Sequence, residues 1–277
     1  MAEPGVIALL LAGGAAYSVG AARARRSAGS EPRQSIRAGC FAGALATLAV
    51  ALLGPIADRA EHSLALHMVQ HVLLLVVAAP LLAACRPLSV MGRTLPRRAR
   101  ALVAPLPRGF LRSHSHRWLA WTGASLAVAS AVMVLWHAPV LYDAALHHEA
   151  LHALEHTSFL LTATTFWWAL GVGTTRPRGG AVAMAFLAAL PGTALGATMT
   201  LARTPWYAGY PSTADQQLAG VVMWAFAGLA YVLVAAVLFG LWLAGVEQDT
   251  PGIPLSAVAE AVAVADRERT VEARGAP

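Results

Sequence analysis

Seven stretches of this chain are apolar over the length of a bilayer's hydrocarbon core, and no other feature constrains the fold as strongly. They lie near 5–22, 37–54, 64–84, 118–136, 151–171, 180–200 and 218–244. A helix needs about 20 residues to cross that core. Lipid offers no partner to backbone N–H and C=O groups, so each stretch must close its own hydrogen bonds as a helix. Composition agrees: 12% of residues are charged, against about 25% in soluble domains. The expected fold is an all-α, polytopic membrane bundle of seven transmembrane helices over residues 1–245. A polar tail of mixed charge follows over 246–277 and is expected to be cytoplasmic and disordered.

The 20 basic residues, all arginine, set the orientation. Loop 23–37 holds Arg23, Arg25, Arg26, Arg33 and Arg37; loop 85–117 holds eight more from Arg86 to Arg117, and loop 171–179 holds Arg176 and Arg178. The intervening loops carry only Arg59 and Arg203. Positive charge concentrates on cytoplasmic loops, which puts the amino terminus outside and the tail inside a multi-pass protein of the cell membrane. The net charge of +6 is thus a topology signal, and no nucleic-acid partner is needed to explain it. Residues 1–4 include Glu3 and no basic segment, so the first span is expected to stay rather than be cleaved. The loop from Leu95 to Trp118 mixes arginines with apolar residues. It is read first as setting topology, with contact to anionic lipid heads of the bilayer as the second reading.

Cys40 and Cys85 fall at the cytoplasmic ends of the second and third spans, where they read as small buried apolar residues. They cannot build a disulfide or a thiolate site on the outer face. Histidine can. Eight of the ten, His62, His67, His71, His137, His147, His148, His152 and His156, fall at or near the outer ends of spans three to five. In HSLALHMVQH, His67 and His71 share one helix face about 6 Å apart. In HEALHALEH, the i, i+4, i+8 spacing strings His148, His152 and His156 into one stripe. His62 sits about 140° around from His67, and His147 points away from the stripe.

A single histidine at a helix end is usually an interfacial or packed side chain. Two i,i+4 pairs on different helices at one depth are the arrangement that lets imidazoles meet on one metal or haem. The candidate ligands are His67, His71, His152 and His156. Imidazoles suit copper, zinc and iron alike, whereas thioethers select Cu(I). Met68 and Met133 lie near these histidines in sequence, and Met199 and Met223 mark the outer ends of spans six and seven. Asp143, Glu155 and Asp215 could accept a second ring N–H, although Glu155 could equally be a rim charge. Chemistry alone places copper only slightly ahead of zinc.

Three longer motifs carry a resemblance. HMVQHVLLLVVAAPLL, then WHAPVLYDAALHHEALHALEHTSFLLTATTFWWALG, then ADQQLAGVVMW occur in that order. Over about residues 60–245 the chain resembles the CtaG family of multi-spanning cytochrome c oxidase assembly factors, which serve caa-type oxidases. The matching positions are His67, Gln70, His71 and Pro80; His137, Pro139, Tyr142 and Asp143; His152, Glu155 and His156; and Asp215, Gln216, Gln217, Met223 and Trp224. Cys85 stands where the family often has glycine. The resemblance implies a non-catalytic role in copper handling, with the oxidase membrane subunit as partner and a periplasmic or extracellular copper donor upstream. On it, Cu(I) would be held by His67, His71, His152 and His156, assisted by His137 or by Met199 and Met223. Asp143, Glu155, Asp215 and Gln70 would support them. A bis-histidine haem protein and a zinc-dependent membrane hydrolase are the alternatives.

No motif residue lies in the tail. Removing residues 250–277 is therefore expected to leave membrane insertion and metal binding unchanged, as measured by membrane abundance and metal content of the truncated protein.

Overall fold

A computed structural model of the chain describes residues 3–28, 32–95, 115–172 and 179–249, which form helices joined by short turns, with no strand among them. Helix α1 is Glu3–Ala28, α2 is Pro32–Leu52, and a short α3, Pro55–Ala60, leads to α4, Leu64–Val72. From α4 the chain winds on through a π-helical segment, Leu73–Ala78, into α5, Ala79–Cys85, and turns at Arg86 into α6, Pro87–Met91. Then come α7, Ser115–Trp136, α8, Pro139–His147, α9, Glu149–Leu170, and α10, Gly180–Leu201. The last long helix comprises α11, Thr213–Val221, a second π segment, Val222–Phe226, and α12, Ala227–Asp249. The expectations for the inner-leaflet loop over 96–114, the loop over 173–178 and the tail over 250–277 lie outside the described residues.

Six helices are long and apolar enough to cross a membrane: Pro4–Arg26, Arg33–Leu52, Leu64–Thr94, Arg117–Trp136, Gly180–Leu201 and Thr213–Val246. The fifth expected span, α9, has 22 residues and so sufficient length. It is not among the six. His152, Glu155 and His156 interrupt its apolar run, and the residues that make it chemically interesting are those that lower its hydropathy.

The continuous helix α4–π–α5 occupies the centre, packed against α2, α9 and α11. Its widened segment has a cause. Pro80 lacks an N–H, and its ring collides with the carbonyl four residues back in an α-helix, so the winding loosens just before it. The Leu75 carbonyl in that segment accepts a hydrogen bond from Trp167 Nε1 at 2.8 Å, tying α9 to the central helix. Two further indoles act alike: Trp118 Nε1 donates to the Ala169 carbonyl at 2.8 Å and Trp136 Nε1 to Ser158 Oγ at 2.9 Å, which pins α7 to α9 at both ends.

Helices α10 and α11 cross backbone to backbone. A Cβ added to Gly196 would lie 2.7 Å from the Gly220 carbonyl oxygen, and one added to Gly220 would collide with the Gly196 carbonyl and Thr200. Small residues at such crossings replace the hydrophobic drive that lipid removes. Gly220→Ala is therefore expected to force the pair apart at a cost on the order of 1–3 kcal/mol, lowering the thermal midpoint of the detergent-solubilised protein. Gly39→Ala, where a new Cβ meets nothing within 4 Å, is the control and should be neutral or slightly stabilising.

Candidate metal centre

The two i,i+4 histidine pairs face each other because α9 packs on the π segment and α5 that continue α4, which brings the side chains of α4 against its first turns. His67 and His71 project from α4, and His152, Glu155 and His156 from the first turns of α9. Ring centres are 5.2 Å apart for His67 and His152, 5.7 Å for His67 and His156, and 5.1 Å for His71 and His156. One ligand atom each from His67, His152, Glu155 and His156 lies within 4.8 Å of the others. A tetrahedral ion with bonds of about 2 Å holds its ligand atoms about 3.3 Å apart, so small side-chain rotations would close this set on an ion.

His148 does not join them. The helix starts one residue later, at Glu149, and His148 caps it in extended conformation (φ −130°, ψ 105°) with its side chain exposed. The expected three-histidine stripe is a pair because α8 ends at His147 and the chain breaks its helical phase there. His62 is likewise exposed.

Glu155 is no rim charge. It is fully buried, as are His67 and His71 at 2% exposure each, while His152 and His156 are half-buried. Both Glu155 oxygens, both ring nitrogens of His71, and Nε2 of His67, His152 and His156 have no hydrogen-bond partner. The nearest approach, His71 Nε2 to Glu155 Oε1 at 3.6 Å, is too long for a hydrogen bond. A buried carboxyl and several buried lone pairs without partners are costly, and a cation seated among His67, His152, Glu155 and His156 would relieve several of these costs together.

The hydrogen bonds around the cluster fix which nitrogen of His67 is free. Tyr210 Oη donates to the Ala60 carbonyl at 2.6 Å, so His67 Nδ1, 3.1 Å from that oxygen, is the donor to it. Burial, reinforced by the carboxylates of Asp215, Glu155 and Glu61, pushes the Tyr210 hydroxyl above its ordinary range and keeps it a donor. His67 Nε2 is left with its lone pair directed at the cluster. Metal-binding imidazoles are commonly oriented through their other nitrogen in this way.

Tyr210 belongs to a strap, residues 202–212, that joins α10 to α11 and lies over the site. Tyr207 Oη donates to the His137 carbonyl at 3.0 Å, and Asp143 accepts from the amides of Ala208 (3.2 Å) and Gly209 (3.4 Å). Gln216 accepts from the Trp206 amide at 2.6 Å, and Gln217 Nε2 donates to the Ala202 carbonyl at 3.0 Å. Asp215 caps α4, taking the Ser63 hydroxyl at 2.9 Å and the Leu64 amide at 2.6 Å. An acid at a helix amino terminus meets free N–H groups and the positive end of the dipole. Gln70 Nε2 donates to the Ala51 carbonyl at 2.7 Å, binding α4 to α2. Asp143 and Asp215, expected to take a ring N–H, instead hold the scaffold through backbone amides and the Ser63 hydroxyl, and Gln70 supports it through a backbone carbonyl.

Met199 and Met223 are buried in the apolar cluster with Leu64, Tyr142, Tyr207 and Tyr210 that backs the imidazoles. The sulfur that reaches an imidazole is that of Met68, 3.5 Å from His137 Nε2. Tyr210 and Met68 were not singled out as site residues. Met68 had a signal in its place beside His67, whereas nothing local marks Tyr210, whose partner lies 143 residues away.

A family profile described as cytochrome c oxidase caa3 assembly factor (Caa3_CtaG) matches residues 15–244. No curated protein and no solved structure matches the chain. With most of its length inside the matched region, the chain belongs to the family of cytochrome c oxidase caa3 assembly factors.

Proposed function

We propose that the chain is a copper carrier of the cell membrane that takes Cu(I) from a donor on the outer side and passes it to the membrane subunit of the oxidase. The observation that supports this is the convergence of the His67, His152 and His156 imidazoles on buried Glu155, with His71 beside them, all with ring or carboxyl atoms that lack partners. On this reading α9 is the seventh span, carried across by its neighbours, and the amino terminus is outside. The role is delivery, not catalysis. Copper would enter past half-buried His152 and His156, the members of the cluster closest to solvent. A lateral handover within the outer leaflet spares the ion from crossing lipid as a bare charge.

An ion is favoured over haem because the facing rings of α4 and α9 are packed against one another at angles of 61–85°, with centres 5.1–5.7 Å apart, closer than the roughly 6 Å that two axial imidazoles across a porphyrin need. Three imidazoles and a carboxylate would also suit zinc. Copper, zinc and haem measured together in the purified protein separate the three: stoichiometric copper is the expected result, whereas zinc alone or a Soret band would replace the reading.

The sharper test is His71→Leu. Leucine suits an apolar span at least as well as histidine, so membrane abundance should match wild type. The variant should carry less copper, and oxidase activity in the host should fall by at least about tenfold, in keeping with the loss of one ligand from a metal site. Normal abundance with normal copper and oxidase activity would refute the copper role of His71.

A further inference from the structure

His137 faces a contact that hydrogen bonding does not explain. Its Nδ1 lies 2.8 Å from the Met133 carbonyl, which can only accept, so Nδ1 carries the proton. In the neutral ring Nε2 is then a bare lone pair, and 3.5 Å from it is the thioether of Met68, which brings lone pairs and no proton. Both residues are buried, Met68 completely and His137 to 3% exposure. Two acceptors face each other with nothing to share, inside the protein.

His71 completes the arrangement. It stands one turn beyond Met68 on α4, and its ring centre is 5.8 Å from that of His137. Two imidazoles on one ion have ring centres about 5–6 Å apart, given metal–nitrogen bonds of about 2 Å. Neither nitrogen of His71 has a hydrogen-bond partner. Its Nε2 is the one nearest the Glu155 carboxylate, at 3.6 Å. With Nε2–H turned to that carboxylate, Nδ1 is left as the donor atom.

We infer that His71, His137 and Met68 form a second metal station, distinct from the set made by His67, His152, Glu155 and His156, and selective for Cu(I). Two imidazoles and one thioether make a three-coordinate soft donor set, and thioether sulfur is what favours Cu(I) over zinc. The first set, with its carboxylate and half-buried histidines, is the receiving station. The second lies behind it, fully buried, and Glu155 touches both. The ion would pass between them by exchanging one imidazole environment for another, with no change of oxidation state. This rests on the reading that the imidazole cluster carries copper.

The test is anaerobic titration of the purified full chain with Cu(I) against a chromophoric Cu(I) chelator, combined with copper X-ray absorption. Wild type should take two equivalents, with a sulfur scatterer at about 2.3 Å, the distance usual for metal–sulfur bonds. Met68→Leu, a volume-conserving change, should fold normally and take one equivalent with no sulfur signal. A wild type that binds no Cu(I) would overturn the carrier itself. A wild type that binds copper without a sulfur scatterer, or a Met68→Leu variant that still takes two equivalents, would overturn the second station alone.

Discussion

Inside a bundle with no water to spare, a polar side chain must find its partner on another helix, and here that partner is repeatedly a backbone carbonyl. Trp118, Trp167, Gln70, Gln217, Tyr207 and Tyr210 each donate to one. Such bonds gain strength from the low dielectric around them, and leaving one unmade is expensive. They also orient the bundle, since each joins segments distant in sequence. Against that background the five groups between α4 and α9 stand apart. Their unpartnered atoms are buried too, yet they converge on one another instead of on carbonyls.

The sequence made the bundle and the histidine pairs legible because both depend on local periodicity. Apolar runs of membrane length, and histidines one turn apart, can be read without knowing where any helix packs. The structure departs from that reading where chain geometry intervenes. His148 leaves the stripe because α8 ends just before it, and α9 falls short of a span on hydropathy because of its own histidines and Glu155. Asp143, Asp215 and the two glutamines were visible as motif residues, but their work was not. Asp215 reaches a hydroxyl 152 residues away, and no spacing rule announces such a contact. Tyr210 was missed for the same reason.

The strap unites what the motifs list separately. Its two tyrosines reach toward opposite sides of the site, one to the carbonyl of His137 and one between His67 and Ala60. Asp143 holds its tip, and Gln216 and Gln217 hold the stretch leading to it from α10. The acidic and amide residues of the third motif therefore serve the histidines of the first through the loop between α10 and α11. An imidazole whose tautomer is set in advance needs no rearrangement when a ligand arrives, which favours rapid exchange over tight retention.

The widened segment ahead of Pro80 sets the phase between the two halves of the central helix. In uniform α winding, Ala79 would lie about 80° around from His71, turned away from the neighbour the histidine faces. Taking up one extra residue in the π segment subtracts about 100°, which returns Ala79 and Ala83 to nearly the same side as the imidazoles. Both alanines are buried in the cluster that contains Ala163 and Trp167 of α9. A single helix can then meet the same partner twice, first with imidazoles and then with close-packed alanine. Inserting one further residue between Leu73 and Ala78 would leave composition almost untouched and still set the two faces at odds, by about 100°, so the register of this helix is as much a part of the site as the histidines are.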